Sequence, residues 1–128
     1  MGVYGFAAIS LGASGGASLR WWLGHRLNPV FPTLPLGTLA ANLLGGFLVG
    51  VAVSFFEKHP GLPPEARLMV ITGFMGGLTT FSTFSAEVVS LIGNEEYLWA
   101  LGAASVHLLG SLLLTGLGIG IVKFLVEA

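Results

Sequence analysis

The sequence predicts an all-α integral membrane protein with four transmembrane helices. Of its 128 residues, 54% are hydrophobic and only 9% are charged, whereas a soluble domain carries about 25% charged residues. Its long apolar runs favour helices, because a membrane-spanning strand would alternate apolar and polar residues. The charges are too few to cover a soluble surface, and the length leaves room for one domain, residues 1–128.

Charge and cysteine content exclude several other classes of protein. Five Lys and Arg residues stand against six Asp and Glu residues, and no basic run occurs, so nucleic acid is not an expected partner. The chain has no cysteine for disulfides or thiolate metal sites. No nucleophile-base pair, carboxylate dyad or metal-ligand spacing is present, and His25 and His59 lie in predicted loops. We therefore do not expect an enzyme.

The first predicted span covers residues 4–24. No charged side chain precedes Arg20, and Tyr4 and the Trp21-Trp22 pair bracket an apolar stretch of membrane length, as interfacial aromatic residues do. Because no Lys or Arg precedes the apolar run, it does not resemble a cleaved signal peptide. The prolines that follow Asn28 end this helix.

Three further apolar segments follow. The second span, residues 36–56, has no charge, and its 21 residues cover roughly 30 Å at about 1.5 Å per residue. The third, residues 68–92, holds one acid, Glu87, and the fourth, residues 98–122, has no formal charge. Four spans place both termini on one side of the membrane.

The charge distribution and the glycine content bear on assembly. Lys58, Arg67 and Lys123 lie on the side of the termini, and Arg20 and Arg26 on the other, so the positive-inside signal is weak. Dual topology is therefore an open hypothesis. Glycine makes up 20 of the 128 residues and lets helices approach closely. Because four short helices enclose little volume, a polar pathway is more easily built between two copies, and we expect a homodimer.

The stretch 76–85, in the third span, carries the strongest functional signal. It opens with Gly76-Gly77 and contains five hydroxyl side chains, those of Thr79, Thr80, Ser82, Thr83 and Ser85. A straight helix through the 25 residues of this span would be about 37 Å long, more than the hydrocarbon thickness. We therefore expect a break near Gly76-Gly77, whose freed carbonyls would line a cavity and could coordinate a cation. The alternative is a flexible kink at the two glycines.

Polar residues in the other spans leave their roles open. Asn42 lies on one helix face with Thr38, Gly46 and Gly50, and its amide either joins helices or faces water or a ligand. On the fourth span His107, Ser111 and Thr115 recur at four-residue steps and either form interhelical hydrogen bonds or line a pore. Glu87 is expected to pair with Arg20 or to extend to the interface.

Three motifs together resemble the CrcB/Fluc family of fluoride channels over the whole chain. They are Gly15-Gly16-Ala17-Ser18-Leu19-Arg20, Gly37-Thr38-Leu39-Ala40-Ala41-Asn42, and the stretch 76–85, which is the most specific of the three. The resemblance implies passive export of fluoride across the bacterial inner membrane by an antiparallel homodimer with two pores. It also implies a structural, non-transported Na+ bound by the backbone carbonyls of Gly76 and Thr79.

The resemblance further implies that Asn42 and the facing Phe81 and Phe84 line the pore. The residues agree with this, because no cation lies in the central two-thirds of any span, and neutral donors could replace water around a small anion. The candidate donors are the Asn42 amide, the hydroxyls of Ser82, Thr83, Ser85 and Ser111, and the ring edges of Phe81 and Phe84, with His107 beside them. The rival hypothesis is a four-helix, dual-topology cation or drug exporter that uses Glu87.

Overall fold

The computed structural model describes residues 2–127, and helices account for most of this range. Helix α1 is Gly2–Leu27, a short 3-10 turn occupies Asn28–Val30, and α2 is Leu36–Lys58. Helix α3 covers residues 64–78 and is α-helical at both ends, with a π-helical middle at Leu68–Met75. Helices α4, Phe81–Gly93, and α5, Tyr97–Glu127, complete the chain.

Within the described residues, three helical segments are long and apolar enough to cross a membrane. They are Leu36–Lys58, Pro64–Gly93 and Tyr97–Glu127, so α3 and α4 form one span between them. Helix α1 has 26 residues, enough to cross, but its many Gly, Ala and Ser residues lower its hydropathy. The structure thus confirms several membrane-length helices, and the fourth crossing, by α1, stays a prediction.

Glycines bring α1 and α3 into backbone contact. A Cβ atom added to Gly77 would lie 2.6 Å from the Ala13 carbonyl oxygen, and one added to Gly73 would lie 2.8 Å from that of Ile9. No side chain fits at these distances. The two helices therefore pack through their backbones, as expected where lipid gives no hydrophobic drive for association.

Helices α2 and α5 pack against each other in the same way. The Thr115 hydroxyl donates a hydrogen bond of 2.8 Å to the Gly46 carbonyl oxygen, and a Cβ atom at Gly118 would lie 2.9 Å from the backbone nitrogen of Val51. The α2 face that carries Thr38, Asn42, Gly46 and Gly50 is thus turned toward protein. Large apolar side chains such as Leu98 and Phe81, 85% and 79% exposed, cover outward faces.

The start of α2 is held by a residue from the preceding turn. Pro35 occupies the N-cap position and gives no side-chain bond. Instead, the Asn28 Oδ1 atom accepts hydrogen bonds from the backbone N–H groups of Gly37, at 2.7 Å, and Thr38, at 3.1 Å. These are two of the helix-start donors that a local cap would satisfy. The contact fixes the end of α1 against the start of α2.

Candidate functional site at the helix break

The third span is interrupted at Thr79 and Thr80. Thr79 has φ −85° and ψ 153° and Thr80 has φ −145° and ψ 118°, so both are extended, and α4 begins at Phe81. The break predicted near Gly76-Gly77 is confirmed, and its extended residues lie just after the two glycines. Gly76 is helical, with φ −63° and ψ −36°, and Gly77 serves the close packing against α1 rather than a turn of the chain.

The break removes carbonyl groups from the helical hydrogen-bond ladder, those of Gly76 and Thr79 among them. The Thr80 N–H, which would bond to the Gly76 carbonyl in a continuous helix, donates instead to Asn42 Oδ1 at 2.8 Å. The Thr83 N–H, the helical partner of the Thr79 carbonyl, donates instead to Thr80 Oγ1 at 3.1 Å. The carbonyl oxygens of Gly76 and Thr79 are thereby free of their helical partners.

Asn42, on α2, connects the break to α5. Its Oδ1 accepts from the Thr80 N–H, and its Nδ2 donates to the Thr80 carbonyl oxygen at 3.0 Å. The same Nδ2 lies 3.1 Å from Nδ1 of His107 on α5. Asn42 therefore joins elements and also lines a cavity. That its amide faces a ligand stays a prediction.

The cavity beside the break has a volume of about 460 Å³. Seven predicted site residues line it: Asn42, Gly76, Thr79, Phe81, Phe84, His107 and Ser111. Thr80, two glycines and apolar side chains of α2, α3 and α5 form the remaining wall. The structure thus gathers residues from four helices around one mostly apolar space with a few polar groups, as is typical of a site for a small ligand.

Aromatic rings form one wall of this cavity. The Phe81 and Phe84 ring centroids lie 5.8 Å apart with the planes at 69°, an edge-on arrangement. The Phe84 ring also packs on the His107 imidazole, with the centroids 4.5 Å apart. An aromatic edge carries positive potential, so rings in this arrangement can present that edge to a negative ion.

The hydroxyl cluster of stretch 76–85 does not gather at this cavity as a group. Ser82 and Ser85 do not line it. Thr83 instead lines two neighbouring cavities, one of about 490 Å³ with Glu87 and one of about 290 Å³ with Arg20. Among the predicted hydroxyl donors, only Ser111 lines the central cavity.

Glu87 does not pair with Arg20, which was one of the two alternatives that the sequence left open. Arg20 Nε donates to the Gly77 carbonyl oxygen at 3.0 Å. This acceptor is available because the break leaves it without its helical donor. Glu87 Oε2 instead accepts from the Thr38 hydroxyl at 2.6 Å. Sequence reasoning placed Thr38 on the polar face of α2 but gave it no partner, and it gave no role to Asn28.

The stripe on α5 divides between the two roles the sequence left open. Thr115 joins helices through its bond to Gly46, and Ser111 lines the cavity. His107 does both, because it is 4% exposed, contacts Asn42 and lines the cavity.

Any metal site here would depend on backbone oxygens. Residues 2–127 contain no group of three or more His, Cys, Asp or Glu side chains placed to hold a metal ion. The carbonyl groups of Gly76 and Thr79 are hard, neutral oxygen donors beside the cavity, and such ligands suit an alkali or other hard cation. The residues present therefore fit the implied Na+.

Fold and site define a small multi-pass helical membrane protein whose third span is interrupted beside a mostly apolar cavity with a few polar groups. Residues 7–119 match the family described as CrcB-like protein, Camphor Resistance (CrcB). The chain belongs to this family.

Curated relatives match over nearly the full length. A protein of Nitrosospira multiformis named as a fluoride-specific ion channel is 59% identical over 99% of both chains. A second protein of that name, from Tolumonas auensis, is 60% identical over 96% of this chain and 97% of its own length. A third, from Pseudomonas putida, is 58% identical over 92% of this chain and 93% of its own. Proteins named as ion channels are not enzymes, and these findings make the chain a multi-pass protein of the bacterial inner membrane.

Proposed function

We propose that this protein is a fluoride channel that lets fluoride leave the cytoplasm passively and so reduces fluoride toxicity. The observation that carries the proposal is the cavity at the Thr79–Thr80 break, which is lined by neutral donors and two aromatic rings. The names of the three relatives point to the same ion.

The chemistry of the cavity suits a small anion in transit. Polar N–H and O–H groups and ring edges can replace part of the hydration shell of fluoride. Conduction also requires that the ion leave, and a fixed cation in the path would hold it too strongly. The five Lys and Arg residues contribute no side chain to the lining of this cavity.

We further propose that the working unit is an antiparallel, dual-topology homodimer. Phe81 is 79% exposed although it lines the cavity, so one chain leaves this wall open. A second copy would cover it and supply the missing side of the path. The weak charge bias between the two ends supports insertion in both directions.

The same dimer would hold the structural Na+ through the Gly76 and Thr79 carbonyl oxygens. When bound, this ion would supply positive potential near the path of the anion without being transported. Its ligands would be backbone atoms, so the site depends on the break being kept rather than on a particular side chain.

The proposed function is tested with purified protein in liposomes loaded with potassium fluoride. With no other ion gradient, fluoride efflux should begin when valinomycin lets K+ carry the balancing charge, and liposomes loaded with chloride should show far slower efflux. Absence of fluoride efflux with valinomycin present would favour the rival cation or drug exporter. Equal rates for fluoride and chloride would contradict a fluoride-specific channel.

A further inference from the structure

The hydrogen bonds of Asn42 fix the orientation of its amide group. The Thr80 N–H can bond only to an acceptor, so the atom 2.8 Å from it is the amide oxygen. The Thr80 carbonyl oxygen can bond only to a donor, so the atom 3.0 Å from it is the amide nitrogen. The two-point contact with one backbone residue therefore leaves a single orientation for the Asn42 side chain.

This orientation determines where the proton of His107 resides. The Asn42 nitrogen lies 3.1 Å from His107 Nδ1, and its second hydrogen is the one that faces the ring. Nδ1 must then accept, because two donors at this distance would repel each other. A neutral imidazole that accepts at Nδ1 carries its proton on Nε2, and an imidazolium has no acceptor at all.

The imidazole is also held in place by its surroundings. His107 is 4% exposed, and its ring packs against Phe84 at a centroid distance of 4.5 Å. Its Nε2 is buried without a hydrogen-bond partner among residues 2–127, so Nδ1 makes the hydrogen bond that orients the ring.

We infer that His107 is a positioning residue: as the neutral Nε2–H form, it holds the Asn42 amide against the Thr80 backbone and so maintains the helix break. Both hydrogens of the Asn42 amide are then in use, one on Thr80 and one on His107. Asn42 thus contributes to the cavity by fixing its wall. The expectation that its amide also solvates the anion stays a prediction.

The first test needs no variant and no ion flux. In protein labelled with ¹⁵N in its imidazole rings and kept in lipid at neutral pH, the His107 spectrum should show an unprotonated Nδ1 and a protonated Nε2. His107→Gln identifies the signal, because His25 and His59 remain in that variant. A protonated Nδ1, in either the other neutral form or the imidazolium, would overturn the inference.

The second test asks whether His107 acts through Asn42. His107→Leu removes the acceptor at similar volume, and hydrogen exchange of the Thr80 N–H, which donates to Asn42, should become about tenfold faster, since one hydrogen bond is lost. His107→Gln can offer an amide oxygen as acceptor and should restore slow exchange. Ser111→Ala, one turn further along α5 in the same cavity, should leave Thr80 exchange unchanged. Unchanged exchange in His107→Leu, or equal loss in Ser111→Ala, would contradict the inference.

Fluoride efflux gives a third test, which rests on the proposed function. Fluoride efflux should fall about tenfold in His107→Leu and recover in His107→Gln. A loss of efflux in both variants with Thr80 exchange unchanged would overturn the positioning role. Absence of efflux from the unmodified protein would instead reject the proposed function and leave the spectroscopic tests valid. Should His107→Leu not fold, the ¹⁵N spectrum of the unmodified protein still decides.

Discussion

The Asn42 amide bonds to one donor and two acceptors at once. Replacing its nitrogen by an oxygen should therefore strongly reduce fluoride efflux. In Asn42→Asp a carboxylate oxygen would face the Thr80 carbonyl oxygen and His107 Nδ1, both acceptors. The new negative charge would also oppose an anion in a low-dielectric path. We expect a cost of about 3 kcal/mol and an efflux about a hundredfold lower, measured with a fluoride electrode.

Asn28→Asp is the matched control for this variant. Asn28 uses only its oxygen, as acceptor for Gly37 and Thr38, and a carboxylate at a helix start keeps that role. Efflux and dimer size should stay near those of the parent in Asn28→Asp. Undiminished efflux in Asn42→Asp would remove Asn42 from the site.

The two cavity phenylalanines test whether ring edges contact the anion. Leu in place of Phe81 or Phe84 keeps much of the apolar volume but removes the positive edge. Both variants should fold and form dimers, and fluoride efflux should fall about tenfold, at about 1.4 kcal/mol each. Phe6→Leu is the control, since Phe6 is 75% exposed on α1. If both cavity variants carried fluoride at the parent rate, the two rings would serve only in packing.

For single residues, the sequence was a better guide to which side chains belong to the site than to the partners that they contact. Asn42 and His107 stood out because polar side chains inside apolar spans are costly unless paired. Their partners lie far along the chain, with 38 residues from Asn42 to Thr80 and 65 from Asn42 to His107. Spacing within one helix cannot supply such a contact, so the sequence did not predict that Thr38 is the partner of Glu87.

At the scale of elements, close packing of α1 on α3 should be sensitive to one methyl group at Gly16. A Cβ atom there would lie 2.7 Å from the Leu78 backbone nitrogen, just before the break. We expect Gly16→Ala to lower the free energy of unfolding by about 1–3 kcal/mol, measured as a lower melting temperature. Gly15→Ala is the neighbouring control, because its Cβ atom would lie 3.5 Å from the Phe74 ring, an ordinary contact. Equal stability of the two variants would contradict this packing.

The start of α4 depends on the Thr80 hydroxyl. Its Oγ1 accepts from the Thr83 N–H at 3.1 Å and so caps the helix after the break. Thr80→Val keeps the branched shape and removes the acceptor, which should cost about 1 kcal/mol of stability. Thr80→Ser keeps the acceptor and should be close to the parent in thermal unfolding. A Val variant as stable as the Ser variant would show that the cap contributes little.

The helices themselves were readable from the sequence, within a few residues at each end. Apolar runs set their lengths, and prolines and charged loops ended them. The exact residues of the break could not be predicted, because glycine serves two purposes. Gly76-Gly77 could equally mark a turn of the chain or a close approach of two helices, and only the packed position of α1 shows that Gly77 serves the second.

At the scale of the whole molecule, the proposed Na+ should make flux depend on the cation present. Replacing Na+ on both sides of the membrane by a large organic cation should lower fluoride efflux, because such a cation cannot fit between backbone carbonyls. Thr79→Ser should respond to Na+ as the parent does, because only the Thr79 carbonyl is proposed to bind the ion. Efflux that is the same in both solutions would argue against the site.

The dimer is the part of the account that a single chain cannot supply. One chain brings the carbonyl oxygens of Gly76 and Thr79 to the proposed ion and leaves Phe81 uncovered on one side. A second, antiparallel copy related by a two-fold axis would double the oxygens to four and close the cavity wall. The central claim is thus that the break at Thr79–Thr80 is a functional element completed by a second copy.

The most direct test is an experimental structure of the protein in lipid with Na+ and fluoride present. The account predicts an antiparallel dimer with an ordered cation on its two-fold axis, contacted by the Gly76 and Thr79 carbonyl oxygens of both subunits. A continuous third helix, in which the Thr80 N–H bonds to the Gly76 carbonyl and the Thr83 N–H to that of Thr79, would contradict it.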